Sequence, residues 1–313
     1  MASLSRRGFL GLTGAVGLLT AAGCSSEKAD DAGADEPVTI PHIFGETTIP
    51  QPPKRVVCAG YTGQDDLLAV GVKPVAVTNW FGDQPFAVWP WALPRLGDAK
   101  PVVLDLDNGI PVKKIAELKP DLIVATNAGV DADTYQELSA IAPTLPQSDG
   151  DAFFEPWKDQ ATAISRAVHQ AHQMQSLIDD VDRRFADVAA AHAGFKDKRV
   201  LLLQGRLEDG NVVASTGWRT EFLSQMGLTV ADVPAVITHD QIKPVLDAAD
   251  VLIWTTESDD DQKALASDPD IAAAASRSVF TTKDQAGAVA FASPLSYPVV
   301  ADQLPPLIAK IVG

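Results

Sequence analysis

Short apolar segments alternate with segments of helical period along most of the chain. Residues 55–59 are β-branched and apolar on both faces and end at Gly60, which is typical of a parallel strand covered by helices. A helical pattern over 64–70 follows, and a strand pattern returns over 72–77 after Gly71. This alternation predicts an open α/β sheet.

Two further stretches extend this pattern. Residues 38–49 predict a hairpin around Gly45, because short β-prone runs flank the glycine. Residues 110–118 predict a helix, and residues 121–125 predict another buried strand.

A different pattern fills the middle of the chain. Apolar residues recur every three or four positions between residues 156 and 192, with charged residues between them. One continuous helix of this length would span roughly 55 Å at 1.5 Å per residue, which is longer than one lobe is wide. We therefore expect it to bridge two lobes.

The second half of the chain repeats the first. Residues 199–203 match the strand at 55–59, and 221–228 match the helix and glycine at 65–72. The expected fold class is α/β, with two similar lobes, a ligand cleft between them and one long bridging helix. The predicted boundaries are an N-terminal lobe at 38–154, the helix at 155–193 and a C-terminal lobe at 194–313.

The N-terminus has the features of an export signal. Arg6 and Arg7 precede an apolar run that ends at Gly23-Cys24, which resembles the site where bacteria lipidate a cysteine. We expect residues 1–23 to be a twin-arginine lipoprotein signal, Cys24 to carry the lipid and 24–37 to be a flexible tether. The protein would then lie at the outer face of the bacterial cytoplasmic membrane; the alternative is an ordinary secretory segment with Cys24 unmodified.

Composition and charge exclude several classes of protein. The 313-residue chain is 46% hydrophobic and has a net charge of −16, so nucleic acid is not an expected partner. Two cysteines are too few for a disulfide framework or a four-cysteine zinc site. His169 and His172 are spaced to share a metal, but no third ligand is evident, and no nucleophile–base motif is present. We expect neither an intrinsic metal or cofactor nor a catalytic residue.

Aromatic and arginine residues near predicted strand ends are the candidate ligand contacts. Ligands of α/β sheets bind at the carboxyl ends of the strands, and large apolar ligands bind against aromatic rings. The alternatives are that some rings fill the core and that the arginine is a solvated surface cation. The candidates are Tyr61, Trp80, Phe81, Trp89, Arg206 and Trp218.

Several segments together resemble one known family. They are Arg55-Val56-Val57, Asp65-x5-Gly71, the Leu-Lys-Pro-Asp-Leu-Ile-Val run at 118–124, Gly217-x3-Glu221-x5-Gly227 and Pro294-Leu295-Ser296. In this order they resemble the ABC-importer substrate-binding lipoproteins for iron-siderophores, haem and cobalamin, the periplasmic binding proteins with a single helical linker.

The resemblance implies a receptor rather than an enzyme. A monomer with two rigid lobes would capture a ferric siderophore and deliver it to an ABC permease and its ATPase. Haem is the alternative ligand, with Tyr61 as a possible ligand of its iron, and an exported hydrolase is a more distant alternative. The family's permease-docking acids fall on Asp65, or Asp66 beside it, and on Glu221; alternatively, these acids only favour helix N-termini.

Overall fold

The computed structural model describes residues 36–150 and 153–313. The predicted signal segment, the lipidation residue Cys24 and most of the tether lie outside these residues. No helix in the described part of the chain is long and apolar enough to cross a membrane. The predicted hairpin is confirmed as β1 (Val38–His42) and β2 (Gly45–Ile49), which pair antiparallel.

The first half forms a five-stranded parallel sheet. Its central strands are fully buried, as expected for a sheet with helices on both faces. The strands are β3 (Val56–Cys58), β4 (Ala76–Thr78), β5 (Val102–Leu104), β6 (Leu122–Val124) and β7 (Thr144–Leu145), and the helices are α1 (Gly63–Ala69), α2 (Leu93–Leu96), α3 (Val112–Glu117) and α4 (Ala132–Ser139). The strand order in the sheet is β5-β4-β3-β6-β7.

The expectation of one continuous helix over 156–192 is wrong. The structure has two helices, α5 (Trp157–Ala167) and α6 (Ala171–Ala191). His169 has φ +57°; its amide donates to the Arg166 carbonyl, and the Gln170 amide donates to the Ser165 carbonyl. These bonds close a helix C-terminus of the Schellman type. α6 is therefore only about 31 Å long.

The second half forms a four-stranded parallel sheet and a short antiparallel pair. The strands are β8 (Arg199–Gln204), β9 (Val212–Val213), β10 (Thr229–Val230), β11 (Val236–Ile237), β12 (Val251–Thr255) and β13 (Ser278–Phe280). The strand order in the parallel sheet is β10-β8-β12-β13, and β9 pairs with β11. The helices are α7 (Glu221–Gln225), α8 (Ile242–Asp247), α9 (Asp259–Leu265), α10 (Pro269–Ala273), α11 (Lys283–Phe291) and α12 (Tyr297–Val312).

The two sheets repeat each other in detail. β8 lies between β10 and β12 as β3 lies between β4 and β6. Asp121, just before β6, accepts a hydrogen bond from the Arg55 amide, just before β3, at 2.7 Å. In the same way, Asp250, just before β12, accepts one from the Arg199 amide at the start of β8, also at 2.7 Å. The predicted duplication into two similar lobes is confirmed.

One core runs through both halves. The largest cluster of buried apolar side chains includes Leu67 of α1 and Leu202 of β8. At its centre, the ring of Tyr297 packs against Trp157 and Phe185, each with centroids 5.3 Å apart. Packing among α5, α6 and α12 therefore joins the two halves, in addition to the chain itself.

Candidate ligand-binding site

A cleft of about 690 Å³ opens at the carboxyl ends of the parallel strands. This is the edge where α/β proteins bind ligands. The first half contributes aromatic residues to the lining, and the second half contributes polar, charged and apolar residues, including Trp218. Its lining residues are Trp80, Phe81, Phe154, Leu202, Gln204, Gly205, Arg206, Ala214, Ser215, Thr216, Trp218, Arg219, Thr255, Glu257, Asp261, Ala286, Val289 and Ala290.

A glycine at the end of the central strand of each sheet lets the neighbouring strand approach. A methyl group on Gly60 would lie 1.6 Å from the Thr126 carbonyl oxygen, and one on Gly205 would lie 2.3 Å from the Thr255 carbonyl oxygen. Gly205 and Thr255 both line the cleft. In the second lobe, the close approach of β8 and β12 at Gly205 therefore forms part of the cleft wall.

Four of the six predicted ligand residues line the cleft: Trp80, Phe81, Arg206 and Trp218. Tyr61 is not among the lining residues, but its ring stacks on Trp80 at a centroid distance of 5.6 Å. Burial, and secondarily the charge of Asp107, raises the pKa of the Tyr61 phenol.

The prediction that Trp89 contacts ligand is wrong. Trp89 is 1% exposed, and its ring stacks on Trp91 at 5.0 Å. Gly82 and Gly287 make room for the indole, since a methyl group on either would lie 2.5 Å from the Trp89 ring. Trp89 therefore fills part of the protein core.

Phe154 belongs to an aromatic wall of the cleft, formed by the rings of Trp80, Phe154 and Trp218, and it was not among the predicted ligand residues. Its ring lies 5.0 Å from the ring of Trp80, and its carbonyl accepts a hydrogen bond from the Trp218 indole nitrogen at 3.1 Å. The adjacent Phe153-Phe154 pair is the only signal the sequence offered. Its approach to Trp80 depends on tertiary contacts.

Two arginines with different surroundings face the cleft. Arg206 donates from Nε to Asp261 at 2.9 Å. Arg219, which was not among the predicted ligand residues, lies with its guanidinium 4.5 Å from the Phe154 ring and 4.9 Å from the Trp218 ring. Burial lowers the pKa of Arg219, and among the described residues no carboxylate forms an ion pair with it. Arg219 is thus a partly buried cation held by cation–π contacts.

The expectation that Asp65 and Asp66 dock a permease is wrong for the folded protein, because both carboxylates are buried. Asp65 accepts hydrogen bonds from Trp91 and Ser293, each at 2.7 Å. Asp66 accepts one from Gln160 at 2.7 Å. The N-terminal end of α1 points into the molecule, so these acids join structural elements instead of reaching a partner.

Burial changes the ionisation of these two carboxyls. It raises the pKa of Asp65 to about 6, against the opposing effect of its hydrogen bonds. It also raises the pKa of Asp66 well above the ordinary value. The third predicted docking acid, Glu221, is exposed at the start of α7, so its docking role stays a prediction.

The described residues contain no group of three or more histidine, cysteine or acidic side chains arranged to hold a metal ion. The residues that line the cleft supply aromatic rings, hydroxyls and charged groups. Such a lining suits a large ligand that carries its own polar and planar groups.

Comparisons with known proteins agree with this architecture. A family model for periplasmic binding proteins matches residues 56–286. The probable siderophore-binding lipoprotein YfiY of Bacillus subtilis (strain 168) is 31% identical over 217 residues, which cover 68% of this chain and 64% of that protein. The chain thus matches only 64% of the length of that curated relative.

Solved structures share the fold. A periplasmic solute binding protein from Mycobacterium smegmatis str. MC2 155 is 63% identical with a TM-score of 0.87, over 88% of this chain and 99% of that one. PiaA of Streptococcus pneumoniae TIGR4, solved with ferrichrome, is 22% identical with a TM-score of 0.72, over 88% of this chain and 98% of that one. These matches confirm the predicted fold class and the family resemblance: the chain belongs to the periplasmic binding protein family.

Proposed function

We propose that this protein captures a ferric siderophore and delivers it to the permease of an ABC importer, whose ATPase supplies the energy. The protein acts from the outer face of the cytoplasmic membrane as a twin-arginine-exported monomer, anchored through a lipid on Cys24. It is a binding protein, not an enzyme. Its lobes are residues 38–154 and 194–313.

The observation that carries the proposal is Arg219 beside the aromatic wall. A guanidinium without a carboxylate partner can donate to the anionic oxygens that surround a chelated ferric ion. The rings of Trp80, Phe154 and Trp218 can cover the organic part of the chelate. The name of the Bacillus subtilis relative as a siderophore-binding lipoprotein supports the same ligand class.

Haem is disfavoured as the ligand. Tyr61 is the residue expected to bind a haem iron, but it is not among the residues that line the cleft. We therefore expect haemin to bind more weakly than a ferric siderophore.

The test is a titration of tryptophan fluorescence in the purified full-length protein in detergent. Ferric siderophores of the hydroxamate, catecholate and carboxylate classes are compared with haemin and with the iron-free siderophores. We expect saturable quenching by at least one ferric siderophore and a loss of affinity in Arg219→Gln. Arg184→Gln is the matched control, because Arg184 is exposed on α6 outside the cleft lining. If no ferric siderophore binds, or if haemin binds best, the proposal is wrong.

A further inference from the structure

The charged side chains of the cleft all come from the second half of the chain. The first half contributes only the rings of Trp80, Phe81 and Phe154. Any charge on the ligand is therefore met by two arginines and two carboxylates, namely Arg206, Arg219, Glu257 and Asp261.

Arg206 is already neutralised by the protein. Its Nε donates to Asp261 at 2.9 Å. Asp261 is itself held by the Ser258 hydroxyl at 2.9 Å and the Glu257 amide at 3.1 Å. An anionic ligand would have to compete with this fixed carboxylate for the guanidinium.

Glu257 adds a second negative charge on the same side. Its carboxylate lines the cleft and is half-buried, and within the described ranges no cation forms an ion pair with it. Asp261 and, more weakly, Glu257 raise the pKa of Arg206. The surroundings of Arg206 are thus net negative.

Arg219 is the remaining cation, and it balances Glu257. The four charged residues of the lining therefore sum to zero. A ligand with several negative charges would meet two carboxylates and only one cation without a carboxylate partner, and the low dielectric of a cleft strengthens that repulsion.

We propose that the cleft selects a ferric chelate of net charge zero or plus one, of the trihydroxamate class, over trianionic tricatecholates. This inference rests on the proposed function. Three hydroxamates carry one negative charge each and neutralise Fe³⁺, whereas three catecholates carry two each and leave a charge of −3. Arg219 donates to the hydroxamate oxygens, and Glu257 accepts from a pendant ammonium group.

The test uses three chelates that share one trihydroxamate iron centre and differ in charge, together with a tricatecholate that carries the largest negative charge. Full-length protein in detergent is titrated with ferrioxamine B (+1), its N-acetyl derivative (0), its N-succinyl derivative (−1) and the tricatecholate ferric enterobactin (−3). We expect the +1 and neutral chelates to bind with Kd values at least about tenfold lower than the −1 chelate, and the −3 chelate to bind weakest.

Variants assign the effect to a residue. Glu257→Gln should abolish the preference for the +1 chelate over the −1 chelate. Glu208→Gln is the matched control, since Glu208 is exposed and lies outside the cleft lining, and it should keep that preference. A preference that survives in Glu257→Gln overturns the role of Glu257.

The outcomes separate this inference from the proposed function. If the −1 or −3 chelate binds as tightly as the +1 chelate, or only the anionic chelates bind, the charge selection is wrong and the proposed function stands. If none of these chelates and no ferric carboxylate siderophore quenches the tryptophan fluorescence, both are wrong.

Discussion

Trp80 and Trp89 belong to one aromatic segment but have different surroundings. Trp80 is partly exposed and lines the cleft, whereas Trp89 is 1% exposed. We expect Trp80→Ala to weaken ligand binding by about 1–3 kcal/mol with little change in Tm. Trp89→Ala should lower the free energy of unfolding by about 3–5 kcal/mol. Fluorescence titration and thermal unfolding of both variants check this, and the opposite assignment of effects would contradict the structure.

The sequence could not separate these two rings. Both lie among glycines and prolines. Trp89 is buried in part against Gly287 of α11, which is far from it in the sequence. Arg206 and Trp218 could be placed at the cleft because strand ends and nearby turns can be located from local pattern. Phe154 and Arg219 were not among the predicted ligand residues, because their juxtaposition exists only after the chain has folded.

The buried carboxyl of Asp65 gives the protein a specific pH dependence. Burial raises its pKa from 3.8 to about 6, so between these values the folded state holds a proton that the unfolded state has lost. The contribution of Asp65 to the free energy of unfolding is therefore greatest at low pH, and it is lost as pH rises from about 4 to about 6. A shift of this size corresponds to roughly 3 kcal/mol.

Asp65→Asn should remove that loss. The unfolding free energy of the variant minus that of the unmodified protein should be about 3 kcal/mol larger at pH 7 than at pH 4. Urea unfolding across this range measures the difference. Asp133→Asn serves as control, because Asp133 is exposed. A pH-independent difference for Asp65→Asn would contradict the buried, proton-binding state.

At the scale of elements, the strand-end glycines are the most sensitive positions. Gly205→Ala would press a methyl group to 2.3 Å from the Thr255 carbonyl oxygen, so β8 and β12 must move apart. We expect a loss of about 1–3 kcal/mol in unfolding free energy and weaker ligand binding. Denaturant unfolding measures the first and fluorescence titration the second. Gly150→Ala should be neutral, since nothing lies within 4 Å of its added methyl; equal effects at both glycines would show that the strands adjust freely.

Most elements were predictable, and the exceptions have a physical cause. Strands such as β3 and β6 are apolar on both faces, so composition alone marks them. The break between α5 and α6 was missed because the apolar period continues across it. The residue with left-handed backbone there is His169, whereas glycine is the usual residue at that position.

At the scale of the molecule, delivery to a permease should depend on Glu221. It is exposed at the start of α7, where a charge-assisted pair with an arginine would fix orientation. Glu221→Ala should bind ligand with unchanged Kd but support less siderophore uptake in cells. Normal uptake at equal expression would exclude the docking role.

Anchoring should depend on Cys24. Cys24→Ala should move the protein from the membrane fraction to the soluble exported fraction, because the acyl chain has no other attachment point in the proposal. Cell fractionation with immunoblotting measures this. Cys58→Ala is the control, since Cys58 is a buried core residue. Unchanged membrane association in Cys24→Ala would contradict lipidation at this residue.

The core that runs through both halves limits how far the duplicated lobes can act as modules. Tyr297, near the end of the chain, packs against Trp157 of α5, so cutting the chain between the lobes would expose a large apolar face on each fragment. Although the two sheets share the same strand arrangement, neither lobe is expected to fold by itself or to be replaceable by the lobe of another protein. Engineering that seeks new ligands must therefore replace residues around the cleft and leave the pairing of the lobes intact.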